Sequence, residues 1–226
     1  MMNESSINIG STEKKVAKFI TFEGGEGVGK STNIEFCRQL IEQQGMDVIV
    51  TREPGGTEIA EIIREQLLKK THKEKMSDVA ELLLVFAARA QHIEAFVKPA
   101  LERGTWVLCD RFTDSTIAYQ GYGRGLALST ITQLKTIAQM GVEPDITFLL
   151  DAPIEIGMSR AKARGPADRF EVEQLDFFSR VREGFLAIAQ ESPERVKRID
   201  ASQELINVQQ NLKTAMASLL SIKAQS

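Results

Sequence analysis
Short apolar runs alternate with longer stretches of helical spacing along this chain, and the alternation predicts its architecture. Residues 19–22, Phe-Ile-Thr-Phe, are apolar almost throughout and run into a cluster of glycines. An amphipathic stretch over about 31–44 follows, closed by Gly45, as helices often are. A second strand is expected at 47–51, ahead of the turn Pro54-Gly55-Gly56. Helical spacing then governs 57–70 and 78–103, where Leu82, Val85, Phe86, Ile93, Phe96 and Val97 recur. Further strands are expected at 106–109 and 146–150, and Pro153 suits the first turn of the next helix. A polar stretch over 160–173 precedes a helix at about 174–191, a weaker strand at 196–199 and a last amphipathic helix over 202–222.

Strands that are apolar throughout and alternate with helices are what a parallel sheet covered on both faces requires. The expected fold is therefore α/β, a three-layer sandwich with a five-stranded parallel sheet flanked by helices. We read a single domain over 18–222, with the polar, aperiodic residues 1–17 as a flexible extension. In such sheets ligands bind beyond the carboxyl ends of the strands, so the polar residues there are the candidate chemistry.

Composition narrows the partners. With 226 residues, 42% hydrophobic and 26% charged, the chain is neither a disordered, a collagenous nor a disulfide-stapled sequence. Its net charge of -3 argues against polymeric nucleic acid, because neutralising many phosphates calls for a basic excess. One small phosphorylated ligand needs only a local cluster of positive charge. No apolar run approaches the ~20 residues of a membrane helix, and the first fifteen residues lack a secretory core. Cys37 and Cys109 read as buried thiols, and the chain is expected to be cytoplasmic. His72 and His92 have no partners at metal spacing, so no zinc site is expected.

The strongest motif is Gly24-Gly25-Glu26-Gly27-Val28-Gly29-Lys30-Ser31, a complete G-x-x-x-x-G-K-[ST] between an expected strand and an expected helix. Its glycines let backbone N–H groups wrap a phosphate, and the helix adds its positive end. Lys30 can reach the β and γ phosphates and Ser31 can ligate Mg²⁺. The motif implies a nucleoside triphosphate but leaves kinases, switches and motors open. Asp110-Arg111 follows the third strand and Asp151 the fourth; either aspartate could serve Mg²⁺ or cap the next helix. An arginine at the mouth of a parallel sheet calls for an anion. Arg52-Glu53-Pro54-Gly55-Gly56-Thr57 ends the second strand at the same crevice. Phe86 and Arg89, three apart on a helix, could stack on a base and hydrogen-bond it, although Phe86 alone also reads as core. Arg160, Lys162, Arg164 and Arg169 surround Gly165-Pro166 and suggest a hinged cationic flap. A switch needs no second anion site, whereas a kinase does.

Taken together, these motifs resemble the thymidylate kinases among the P-loop nucleoside-monophosphate kinases, over about 18–222. The resemblance rests on Phe22-Glu23 leading into the loop that ends Lys30-Ser31-Thr32, on Arg52 to Thr57 and on Phe86-Ala87-Ala88-Arg89. It continues in Asp110-Arg111-Phe112, Ser115-Thr116, Ala118-Tyr119-Gln120-Gly121 and an arginine-bearing lid at about 160–172. The family implies phosphorylation of dTMP to dTDP by ATP with Mg²⁺, through direct in-line transfer, in a homodimer. It implies ATP along Gly24 to Thr32, metal at Ser31 and Asp110, and the acceptor phosphate at Arg52 and Arg111. Phe86 would stack on thymine, Arg89 bond a base carbonyl, and Ser115, Thr116 and Gln120 lie by the acceptor. Tyr119 would stand beside the 2′ carbon and Glu26 bond the 3′-hydroxyl. Lys30, Arg111, Arg160, Arg164 and Arg169 would neutralise charge during transfer. The loop has no basic residue from Gly25 to Val28, similar to the bacterial type in which lid arginines do that work. Another acceptor, such as dUMP or dGMP, is the nearest rival, since one methyl group discriminates by only ~1–3 kcal/mol.

Overall fold
Even-numbered residues of the three inner strands point to one side of the sheet and odd-numbered residues to the other, as the two-residue period of a strand dictates. The computed structural model describes residues 17–68, 73–162 and 173–220. Its strands are β1 (Phe19–Glu23), β2 (Val48–Arg52), β3 (Trp106–Asp110), β4 (Ile146–Asp151) and β5 (Val196–Asp200). All pairings are parallel, in the order β2-β3-β1-β4-β5. Ile20, Phe22, Leu108, Phe148 and Leu150 meet helices α1 (Lys30–Gln43) and α9 (Leu205–Leu220) through Ile34, Cys37, Ile41, Leu212 and Met216. Each such fully buried side chain contributes about 1.5–3 kcal/mol of transfer free energy.

On the opposite face Phe19, Val107 and Cys109 pack against Ile93, Val97 and Phe112. There α3 (Asp78–His92) passes through a π turn, Ile93–Val97, into α4 (Lys98–Glu102). Leu149 and Val196 meet Phe177, Val181 and Phe185 of α8 (Leu175–Glu191). The remaining helices are α2 (Glu58–Leu68), α5 (Thr113–Thr116), α6 (Leu128–Gln139) and α7 (Ile154–Lys162), with a π-helical stretch, Ile117–Gly123, directly after α5. Both cysteines are buried thiols, as expected, and burial pushes Cys37 up to about 12.

The expected three-layer architecture is borne out. The helix expected over 78–103 is interrupted by the π turn after His92. Residues 1–16, 69–72, 163–172 and 221–226 lie outside the described residues, and with them all but the last residue of the predicted extension, most of the lid with Arg164 and Arg169, and His72. Register brings the ends of β1, β2 and β3 level, with Asp110 opposite both Phe22 and Arg52. The candidate chemistry therefore collects along one edge.

Candidate active site
Gly24 turns the chain out of β1 at φ 132°, and a Cβ there would stand 2.2 Å from the carbonyl oxygen of Leu150. Only glycine lets the loop pass this close to β4. Gly29 caps α1 in the left-handed conformation, and no side chain satisfies the first-turn N–H groups. That leaves a helix start suited to an anion. Lys30 opens the helix one residue earlier than its pattern suggested. Its Nζ donates to the carbonyls of Gly25 (2.9 Å) and Gly24 (3.3 Å). Burial first, then the neighbouring Arg111, pushes this ammonium below the ordinary lysine value. A phosphate would reverse that pressure.

Arg111 adopts φ 68°, a left-handed conformation that costs a non-glycine residue roughly 1–3 kcal/mol. Neighbouring hydrogen bonds hold it there: its N–H reaches the Phe22 carbonyl at 2.9 Å, and the next N–H, of Phe112, reaches Glu23 Oε1 at 2.7 Å. The guanidinium then lies back across the loop, donating to the Gly24 carbonyl (3.0 Å), Ser115 Oγ (3.2 Å) and Glu26 Oε1 (2.5 Å). It rests 5.0 Å from the centre of the Tyr119 ring, whose hydroxyl also donates to Glu26 Oε1 (3.0 Å). Glu26 is thus the anion that this arginine finds within the chain. Glu23, buried beneath, also accepts from Ser115 Oγ at 2.5 Å.

Farther along the cleft, Arg89 is held between the rings of Phe86 and Phe112, at 5.0 and 5.1 Å. Its Nε donates to Glu53 Oε2 (2.7 Å) and Nη2 to Thr116 Oγ1 (3.0 Å), while buried Nη1 has no partner. An unpaired buried donor costs about 1–3 kcal/mol unless something accepts from it. The cleft joining these groups encloses about 970 Å³ of space continuous with solvent.

A family model described as thymidylate kinase matches residues 22–212. The chain is 54% identical over 203 residues to a thymidylate kinase of Teredinibacter turnerae, spanning 90% of this chain and 98% of that protein. This chain belongs to the thymidylate kinase family. It is also 54% identical over 204 residues to a thymidylate kinase of Pseudomonas fluorescens, spanning 90% of this chain and 97% of that one. The solved thymidylate kinase of Ehrlichia chaffeensis superposes with a TM-score of 0.71 at 36% identity, over 88% of this chain and 98% of that one.

Most of the residues that the thymidylate kinase resemblance named converge on the cleft. Glu26 to Ser31, Arg52, Arg89, Asp110, Arg111, Ser115, Thr116, Tyr119 and Gln120 line it. Gly24 and Gly25 instead border a smaller cavity behind the loop, and Thr32 is exposed on α1. Phe86 does not line the cleft. It is buried with Leu82, Ile131 and Ala138 and forms the floor under Arg89. Arg160 is exposed, with Nη1 on the Ala201 carbonyl (2.8 Å), and is not among the cleft residues. Arg52 is half out of the cleft, paired with Glu61 at 3.0 Å. Gln120 donates to Glu81 Oε1 at 2.7 Å. Arg64 and Leu68, which sequence reasoning left without a role, also line the cleft, as does Val85, which read only as an apolar helical position. Val85 sits one turn before Arg89, a spacing that could have placed it at the site.

Asp151, one of two metal candidates, is committed elsewhere: it accepts from Arg182 (2.7 Å) and Arg198 (2.7 Å). Asp110 lines the cleft and keeps a buried, unpartnered Oδ1. With the hydroxyl of Ser31 it offers the hard oxygen donors that Mg²⁺ prefers. Among the described residues no group of three acidic, histidine or cysteine side chains could hold a metal alone.

Proposed function
We propose that this kinase seats ATP on the glycine loop and dTMP in the cleft beyond it, and passes the γ-phosphoryl group directly between them. The observation that carries this reading is the position of Arg111, which touches the loop at Gly24 and the acceptor wall at Ser115 at once. A guanidinium so placed can grip phosphates arriving from both sides. The unsatisfied Nη1 of Arg89 supports a carbonyl-bearing base on the acceptor, and Tyr119 narrows the space beside its sugar. In the transfer, an oxygen of the acceptor phosphate bonds to Pγ as the bond from Pγ to the bridging oxygen of ADP breaks. The acceptor phosphate, with a second pKa near 6, needs no added base. Lys30 and Arg111 offset the charge on the moving group, joined by the lid arginines Arg164 and Arg169. Ser31 and Asp110 would hold Mg²⁺, which when bound neutralises charge on the donor phosphates.

No described helix is long and apolar enough to cross a membrane, and we assign the chain to the cytoplasm. We further propose a homodimer, supported by Val79 and Leu83, exposed apolar side chains four apart on α3. The test of substrate is a coupled ADP-release assay across the nucleoside monophosphates with wild type and Arg89→Ala. dTMP should be the preferred acceptor, and the variant's loss should fall on the acceptor's KM alone. ADP release that ignores dTMP, or an equal loss toward ATP, would refute the assignment.

A further inference from the structure
His92 has no part in the chemistry above, yet it is fully buried one layer behind the acceptor cleft. It is the last residue of α3, and its ring stacks on Phe96 at 5.7 Å from the following π turn. Such turns often mark functional sites. Both ring nitrogens are engaged: Nε2 lies 2.8 Å from Thr51 Oγ1 and Nδ1 lies 2.9 Å from Glu53 Oε1. A carboxylate can only accept, so Nδ1 carries the hydrogen toward Glu53, and the Thr51 hydroxyl completes the other side of the ring.

Gly56 is shaped around this ring. At φ +84°, a Cβ on it would meet the imidazole at 2.6 Å and Thr51 Oγ1 at 2.5 Å. The motif from Arg52 to Thr57 therefore does more than turn the chain. It closes over His92 and holds Glu53 between two donors.

Glu53 transmits the constraint. One oxygen takes His92 Nδ1–H and the other takes Arg89 Nε–H at 2.7 Å, so the carboxylate plane fixes the guanidinium plane. Nη2 is pinned on Thr116, and Nη1 alone is left for a ligand. Glu53, Arg89 and His92 are each no more than 3% exposed, so water cannot substitute cheaply for a lost partner. We infer that His92 is a positioning residue for acceptor recognition: through Glu53 it aims the free donor of Arg89, without touching substrate.

The kinetic part of this inference rests on the proposed dTMP reading. His92→Asn keeps a donor near the place of Nδ1, whereas His92→Gln keeps contact only near the place of Nε2. The Gln variant should raise the KM for dTMP by roughly ten- to a hundredfold, the range for losing a group that orients a binding residue. The KM for ATP and kcat should move less than about threefold, and Asn should recover most of the loss. In an Arg89→Ala background the Gln substitution should add nothing further, because the residue it acts through is gone.

A second readout needs no substrate. In protein carrying isotope-labelled arginine, the Nε–H resonance of Arg89, assigned by its disappearance in Arg89→Lys, should be sharp and downfield in wild type and Asn. It should broaden or move upfield in Gln. An unchanged resonance in Gln would overturn the inference, as would a loss additive with Arg89→Ala. Wild-type protein that ignores dTMP would instead refute the functional reading, and the resonance would still decide the role of His92.

Discussion

Replacing Glu23 by glutamine keeps the shape of the side chain and removes its charge. In the folded protein this carboxyl is 1% exposed, accepts from Phe112 N–H and Ser115 Oγ, and faces Asp114. Burial first, then the charge of Asp114, pushes it from the ordinary 4.5 up to about 8. In the unfolded chain it titrates in water at the ordinary value. Between the two values the native state holds a proton that the unfolded state has released. Its contribution to stability is therefore complete below the unfolded value and lost as pH rises through the folded one. The slope is ~1.4 kcal/mol per pH unit for one proton. Over about three units the ceiling is ~4 kcal/mol, and relaxation around the charged form should leave about 2 kcal/mol. Urea unfolding of both proteins at about pH 5 and about pH 8 measures this directly. Wild type should lose about 2 kcal/mol more than Glu23→Gln between these conditions. Parallel pH profiles would refute the reasoning.

Four further substitutions probe other parts of the site. A Cβ on Gly157 of α7 would stand 2.4 Å from the Glu26 carbonyl oxygen. Gly157→Ala should therefore cost about 1–3 kcal/mol by overpacking and raise the KM for ATP, as thermal unfolding and initial rates will show. Asp110→Asn should raise the Mg²⁺ concentration for half-maximal rate about tenfold while leaving the KM for dTMP in place; a magnesium titration reads it. Arg111→Ala should lower kcat by about 10³, and Arg160→Ala, whose guanidinium sits on the Ala201 carbonyl, should lower it less than tenfold. Steady-state kinetics separate the two.

The sheet and its ligand edge were legible because they follow from local rules. Apolar strands such as Phe148 to Leu150 have one reading only, and the glycine loop carries its own stereochemistry. Residues tied to backbone ends, such as Lys30, Asp110 and Arg111, were legible for the same reason. For Phe86 the spacing left core and base stacking both open, because its neighbours Leu82, Ile131 and Ala138 come from two helices whose packing no spacing reveals. The commitment of Asp151 to Arg182 and Arg198 spans 31 and 47 residues, and nothing local distinguishes it from Asp110. The Arg111–Glu26 pair joins positions 85 apart. An arginine in need of an anion was visible, but not that the chain supplies one. His92 was read only against metal spacing, since its partners Thr51 and Glu53 lie on another element.

On the proposed reading two nucleotides meet across Arg111, and a phosphoryl group passes from one to the other without reaching water. The fate of γ-labelled ATP in the presence of dTMP separates transfer from hydrolysis. The label should appear in dTDP in step with ADP, with almost none in inorganic phosphate. Label that accumulates as inorganic phosphate at a rate indifferent to dTMP would rule out direct transfer.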